Sequence, residues 1–159
     1  MNGLLWNLLL AFSWATMTAE FTMANLAVGF VLGFLILLFA RRVVGLESYA
    51  RKVRQAIDLF FFFIWELIQS NLRLAHDVVT PKHYMRPAIV AVPLDVRSDL
   101  EITLLANLVS LTPGTLSLDV STDRRVLFLH AMYVDNDDIE AVRRGIKEGF
   151  ERRILELLR

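Results

Sequence analysis

Two apolar runs open the chain: Leu4 to Met17 (LLWNLLLAFSWATM) and Met23 to Ala40 (MANLAVGFVLGFLILLFA). A polar cluster of Thr18, Glu20 and Thr22 separates them. One helix over both runs would be about 55 Å long, well beyond a hydrocarbon core of about 30 Å. The pattern therefore predicts two short antiparallel helices with a tight turn near Glu20. The second, about 27 Å long, can span a bilayer; the first is marginal and needs local thinning or protein neighbours. A cleaved signal peptide over residues 1–20 is the competing reading, but that stretch has no charged n-region and no A-x-A-like cleavage site.

Residues 56–79 (AIDLFFFFIWELIQSNLRLAHDVV) are patterned differently. Ile57, Phe61, Ile64, Ile68, Leu72, Ala75 and Val79 recur at helical spacing, and Asp58, Glu66, Ser70, Arg73 and Asp77 form a second stripe. One amphipathic helix accommodates both. Its uninterrupted apolar part, Leu59 to Trp65, covers only about 10 Å. Asp58 or Glu66 inside hydrocarbon would each be costly. The expectation is a helix at the cytoplasmic interface, or packed on other proteins there, rather than a third span. Glu66 is a candidate polar residue at the membrane surface. An ion relay and a plain polar face are both open for it, and an isolated carboxylate favours the plainer role.

Thr80-Pro81 ends this helix, because the residue before a proline avoids the helical region. Arg86-Pro87 prolongs the break. Ala88 to Leu94 then reads as a strand with Pro93 near its end or on an edge. Ser98-Asp99-Leu100-Glu101 is a capping box opening a helix to about Leu111. Thr112, Pro113 and Gly114 form a structural motif that stops the helix and turns the chain. Thr115 to Val120 alternates, with Leu116, Leu118 and Val120 on one face. Ser121 to Arg124 is turn chemistry, and Arg125 to Val134 is another strand. Asp135 to Asp138 offers an N-cap to a last helix with the apolar stripe Ile139, Val142, Ile146, Phe150, Ile154 and Leu157.

The predicted fold is a membrane α-helical hairpin anchor plus a small cytoplasmic α+β two-layer domain, with about three strands and two to three helices. The last two strands form an antiparallel hairpin, and the first lies parallel to the next through a right-handed crossover. The boundaries fall at 1–42 (two-helix transmembrane anchor), 43–80 (basic linker and amphipathic interfacial helix) and 81–159 (α+β domain).

Composition sharpens this division. Of 159 residues, 55% are hydrophobic, above the share usual in soluble domains. Residues 1–40 carry a single charge, Glu20, whereas residues 88–159 carry 12 acidic and 9 basic side chains. The zero net charge thus averages two unlike materials, and no basic excess points to nucleic acid. Arg41, Arg42, Arg51, Lys52 and Arg54 follow the second apolar run, while the turn near Glu20 has no basic residue. The positive-inside rule places residues 41–55 in the cytoplasm and Glu20 outside. The localisation expected is a bacterial or archaeal cell membrane, multi-pass, with both termini cytoplasmic.

Candidate chemistry is sparse. With no cysteine there is neither disulfide nor thiolate chemistry. His76, His83 and His130 have no metal-ligand spacing, and the phosphate-binding and hydrolase motifs are absent. The expectation is a chain that is not an enzyme and uses no cofactor. The remaining candidates are for packing. Gly29 and Gly33 form a GxxxG pair that lets another helix approach closely, and Asn7 and Asn25 are polar groups at membrane depth that seek partners.

Four segments together carry a family resemblance. They are ITLLANLVSLTPGTLSLDV (102–120), VLFLHAM (126–132), Val79-Thr80-Pro81-Lys82 with Arg86-Pro87, and the apolar pair closed by Phe39-Ala40-Arg41-Arg42. In this order, over nearly the whole length, the chain resembles the E subunit of the multisubunit Mrp-type (Mnh-type) cation/proton antiporters. The resemblance implies an accessory subunit of a hetero-oligomer that exchanges cytoplasmic Na⁺ or K⁺ for external H⁺. Its partners would be the sibling subunits and the lipid bilayer. It implies a role in assembly or full activity, with the ion paths in the large subunits. From the residues alone, a free-standing membrane-anchored binding or regulatory module stays open beside it.

Overall fold

A computed structural model describes residues 3–44, 47–80, 85–134 and 138–159, with the side chains of 41–48 left aside. Pro81, Lys82, His83 and the acidic stretch 135–137 lie outside the described residues, and so do the sequence expectations that fall there. The chain forms two compact units, Met1–Arg54 and Gln55–Arg159.

In the first unit, helix α1 (Gly3–Thr18) packs against helix α2 (Met23–Val44). Their contacts run in opposite senses, Gly29 against Ala11 and Trp14, Gly33 against Asn7 and Leu10, so the pair is antiparallel. Ala19 adopts a left-handed φ of 54° at the turn, a conformation tolerable for one residue between helices. Met23–Ala40 is long and apolar enough to cross a membrane, and Gly3–Thr18 is a shorter apolar helix. On α1 the buried positions are small residues, Gly3, Asn7, Ala11 and Ala15, one per turn, and on α2 Leu37 is buried along with Gly29 and Gly33. Most of the large side chains point outward, with Met17 82% and Phe39 88% exposed.

Helix α3 spans Glu47–Val79. In the second unit, the part of α3 from Gln55 onward accompanies strand β1 (Ala88–Pro93), helix α4 (Asp99–Leu111), and strands β2 (Thr115–Val120) and β3 (Val126–Ala131). Helix α5 (Ile139–Ile146), a π turn (Lys147–Glu151) and helix α6 (Arg152–Leu158) follow. The three strands form one antiparallel sheet in the order β1-β3-β2. This corrects the expected pairing: β1 and β2 run in the same direction but are not neighbours, because β3 lies between them and pairs with both. Pro93 ends edge strand β1, where a missing N–H is tolerated. The strand expected over 125–134 is confined to Val126–Ala131.

The core lies between one face of the sheet and the helices. Val90 and Val92 of β1 sit beside Leu129 and Leu127 of β3, and Ile102, Leu105 and Val109 of α4 cover them with Ile146, Phe150 and Ile154. β2 departs from its expected phase. A bulge between Ser117 and Asp119 changes the register, so Thr115, Ser117 and Val120 oppose the inward residues Ala131, Leu129 and Leu127. Leu116 and Leu118 are left on the outer face, about half exposed. The Ser117 hydroxyl donates to Ala106 O of α4 and its N–H donates to Ser110 Oγ, which satisfies a polar residue facing a helix.

The capping box forms as its sequence dictates. Glu101 N–H donates to Ser98 Oγ, and the Glu101 carboxylate accepts from the N–H groups of Arg97 and Ser98 and from the Arg159 guanidinium. Those two N–H groups, first Arg97 and then Ser98, with Arg159 adding to them, hold the Glu101 pKa down to about 2. Glu151, only 1% exposed, accepts from the Asp95 and Val96 N–H groups and from Lys147, and so ties the loop after β1 to the last helices. The C-terminal stripe explains the π turn. Ile146, Phe150 and Ile154 recur at strict fours, and on a regular α-helix each such step drifts by about 40°. The wider turn at Lys147–Glu151 absorbs that drift, and all three side chains reach the core.

The facing of α3 is set by contacts with the last helices. Leu59 is buried, and Phe62 stacks edge-on against Phe150 with centroids 5.1 Å apart and fills the space left open by Gly149. Asp58 pairs with Arg153 at 3.0 Å. These contacts turn the Glu66, Ser70, Arg73 and Asp77 side of the helix toward the domain. The apolar stripe faces out: Ile57, Phe61, Ile68, Leu72 and Val79 are all exposed.

Candidate functional site

The sequence singled out Asn7, Asn25, Gly29 and Gly33 for packing, and the structure places all four at the seam of α1 and α2. Both glycines are buried there. A Cβ on Gly29 would lie 2.9 Å from Ala11 O, and one on Gly33 would collide with Asn7 Oδ1 and meet Leu10 Cβ at 3.0 Å. This close approach is the use of glycine that helix packing in lipid favours. Asn25 is satisfied locally: its amide donates to Thr18 Oγ1 and Glu20 O, and its oxygen accepts from Trp14 Nε1. Asn7 is fully buried and donates to the Tyr49 hydroxyl at 3.0 Å, while its Oδ1 has no partner among the described residues.

The second unit contains a cleft of about 540 Å³. One wall is α3 from Glu66 to Arg73, the opposite wall is the Thr112–Pro113–Gly114 turn with Tyr133, and the floor includes Val109, Ile146 and Phe150. The local sequence builds the turn. Thr112 N–H closes α4 on Val109 O, Thr115 Oγ1 donates to the same carbonyl at 2.7 Å, and Gly114 takes a φ of +92° that a side chain would resist. Met132 N–H donates to Gly114 O, and the Tyr133 ring sits 3.2 Å from where a Gly114 Cβ would be. The turn motif thus shapes one wall of the cleft as well as ending a helix.

The polar groups of the cleft are unevenly engaged. Arg73 lies 5.3 Å over the Tyr133 ring, a cation–π contact. Asp77, one turn on, is 3% exposed. Neither its Oδ2 nor the Tyr133 hydroxyl has a hydrogen-bond partner among the described residues. Burial, and secondarily Asp77, push the pKa of the Tyr133 hydroxyl up. Glu66, watched from the sequence, lines the cleft half-buried and makes no hydrogen bond or ion pair with the described residues. The proximity of Tyr133 to Asp77 was missed in the sequence. The stripe that carries Asp77 was visible, but only β3 and its pairings bring Tyr133 to it. His130 lies half-buried in β3, opposite Ile89 and Leu116.

Sequence comparison decides the family. The sequence model of the Na⁺/H⁺ ion antiporter subunit family matches residues 7–157. The chain belongs to this family. It is similar to the E subunit of the Na⁺/H⁺ antiporter of Alkalihalophilus pseudofirmus, at 40% identity over 97% of this chain and 96% of that one. It is equally similar to the corresponding Na⁺/H⁺ antiporter chain of Bacillus subtilis, at 40% identity over 98% of each chain. Among solved structures, a chain of the membrane-bound sulfane sulfur reductase, an archaeal respiratory membrane complex, matches with a TM-score of 0.57 and 27% identity over 96% of both chains. The family match spans both units.

Proposed function

We propose that this chain is an accessory subunit of a hetero-oligomeric monovalent cation/proton antiporter, moving Na⁺ or K⁺ out against H⁺. It serves assembly or full activity and does not carry the ion path itself. The observation that carries this reading is the family match over residues 7–157. The arrangement of the first unit supports the accessory role. Asn25, its partners Thr18 and Trp14, and the Glu20 carbonyl bond to one another at the turn, and Asn7 bonds to Tyr49, so these polar groups serve packing within the unit. One apolar helix of spanning length and one shorter neighbour enclose no pathway by themselves.

In this reading α1 and α2 are a two-pass anchor whose large outward side chains meet lipid and sibling helices. Arg51, Lys52 and Arg54 keep the following segment in the cytoplasm, the Glu20 turn lies outside, and the α+β domain is cytoplasmic. The test is deletion of this chain from an otherwise intact antiporter, assayed in everted membrane vesicles and on native gels. Loss of cation-dependent proton exchange together with a smaller or missing complex is expected. Unchanged exchange and an unchanged complex would contradict the proposal.

A further inference from the structure

We infer that the cleft between α3 and the Thr112–Gly114 turn receives a segment of a sibling subunit that carries a Lys or Arg beside apolar side chains. This deepens the accessory-subunit reading and rests on it. Three observations specify the occupant. Glu66 lines the cleft with a carboxylate that no described residue neutralises. A half-buried carboxylate without a partner favours a cation. Tyr133 lines the cleft at the Arg73 end and presents an aromatic face and a hydroxyl there, polar ground beside the apolar floor. The floor, by contrast, is apolar, formed by Val109, Ile146 and Phe150.

The borders of the cleft argue for a polypeptide over a small molecule. Leu72 lines the cleft and is also 66% exposed, and it continues into the outward stripe with Ile68 and Trp65. An occupant that neutralises Glu66 and also covers this stripe has to extend beyond the cleft. Charge argues against a lipid headgroup. The charged residues that line the cleft are Glu66 and Arg73, so it offers an anionic headgroup no excess of positive charge.

The experiment places a photo-crosslinking benzoylphenylalanine at Gln69, an exposed position lining the cleft, in the full chain within the intact complex. The same residue at Thr122, in the turn between β2 and β3, is the control. A covalent adduct from Gln69 to a sibling peptide containing Lys or Arg is expected, with none from Thr122. Glu66→Arg should lower the Gln69 adduct about tenfold, the loss expected for one charge-assisted contact, and Glu66→Asp should retain most of it. Since Glu66 has no partner among the described residues, neither variant removes a described contact within the chain. Adducts to lipid alone, no adduct at Gln69, or equal adducts at both positions would each overturn the inference. If the chain still copurifies with its siblings in those cases, the cleft assignment fails while the accessory-subunit reading stands.

Discussion

The two units of this chain use apolar residues in opposite ways. In the first, small residues and Asn7 make up most of the buried positions, joined by Leu37, and most Leu, Phe and Met side chains are outside. In the second, Leu105, Leu127, Leu129 and Ile154 are inside and most charges are outside, apart from the outward stripe of α3. Water-driven burial explains the second arrangement. It does not explain the first, where large apolar side chains are exposed and close backbone approach holds the helices together, an arrangement suited to a lipid surround. The comparison makes α3 informative: it belongs to a water-type domain yet presents a face of the first kind.

The sharpest break of this comparison is a cavity in the water-type core. Leu129→Ala, at a fully buried site, should destabilise the α+β domain by about 3 kcal/mol, measured by urea unfolding of the detergent-purified chain. The complementary insult in the first unit is filling, not emptying. Gly33→Val forces a side chain into Asn7 and Leu10 and should cost about 2 kcal/mol, seen as a lower thermal midpoint in detergent while the domain is unaffected.

Smaller is the effect of Glu101→Gln, about 1 kcal/mol at neutral pH, the usual scale of a lost capping interaction. Its pH dependence has a definite sign. The folded carboxyl titrates at about 2 against an ordinary 4.5, so its contribution is complete above 4.5 and is lost as pH falls from there toward 2. The difference between wild type and Glu101→Gln should shrink over that interval; a constant difference would remove the carboxylate from the account. Least of all, Ile68→Ser on the exposed stripe should change the stability of the purified chain by less than about 0.5 kcal/mol. The same substitution should weaken retention of the chain in the assembled complex.

What the sequence made legible was what local chemistry decides. Ser98 and Glu101 close a capping box wherever a helix starts there, Pro93 ends a strand, and Gly114 supplies a turn that a side chain would strain. The phase of β2 was not legible, because one extra residue at the bulge turns Val120 to the face opposite Leu116 and Leu118. Nor was the facing of α3. An amphipathic pattern gives two stripes without saying which meets the domain, and Asp58–Arg153 and Phe62–Phe150, contacts nearly ninety residues apart or more, settle it. The cleft shared this limit: Glu66 was visible alone, but Tyr133 reaches its wall only through the sheet.

The central claim is that the outward apolar surfaces of this chain are covered by sibling antiporter subunits and lipid in the cell. The most direct measurement is affinity purification of the full-length chain from native membranes in mild detergent, followed by mass analysis of the intact particle. The account predicts one particle containing large multispanning antiporter subunits. A stable, monodisperse chain recovered without them would contradict it.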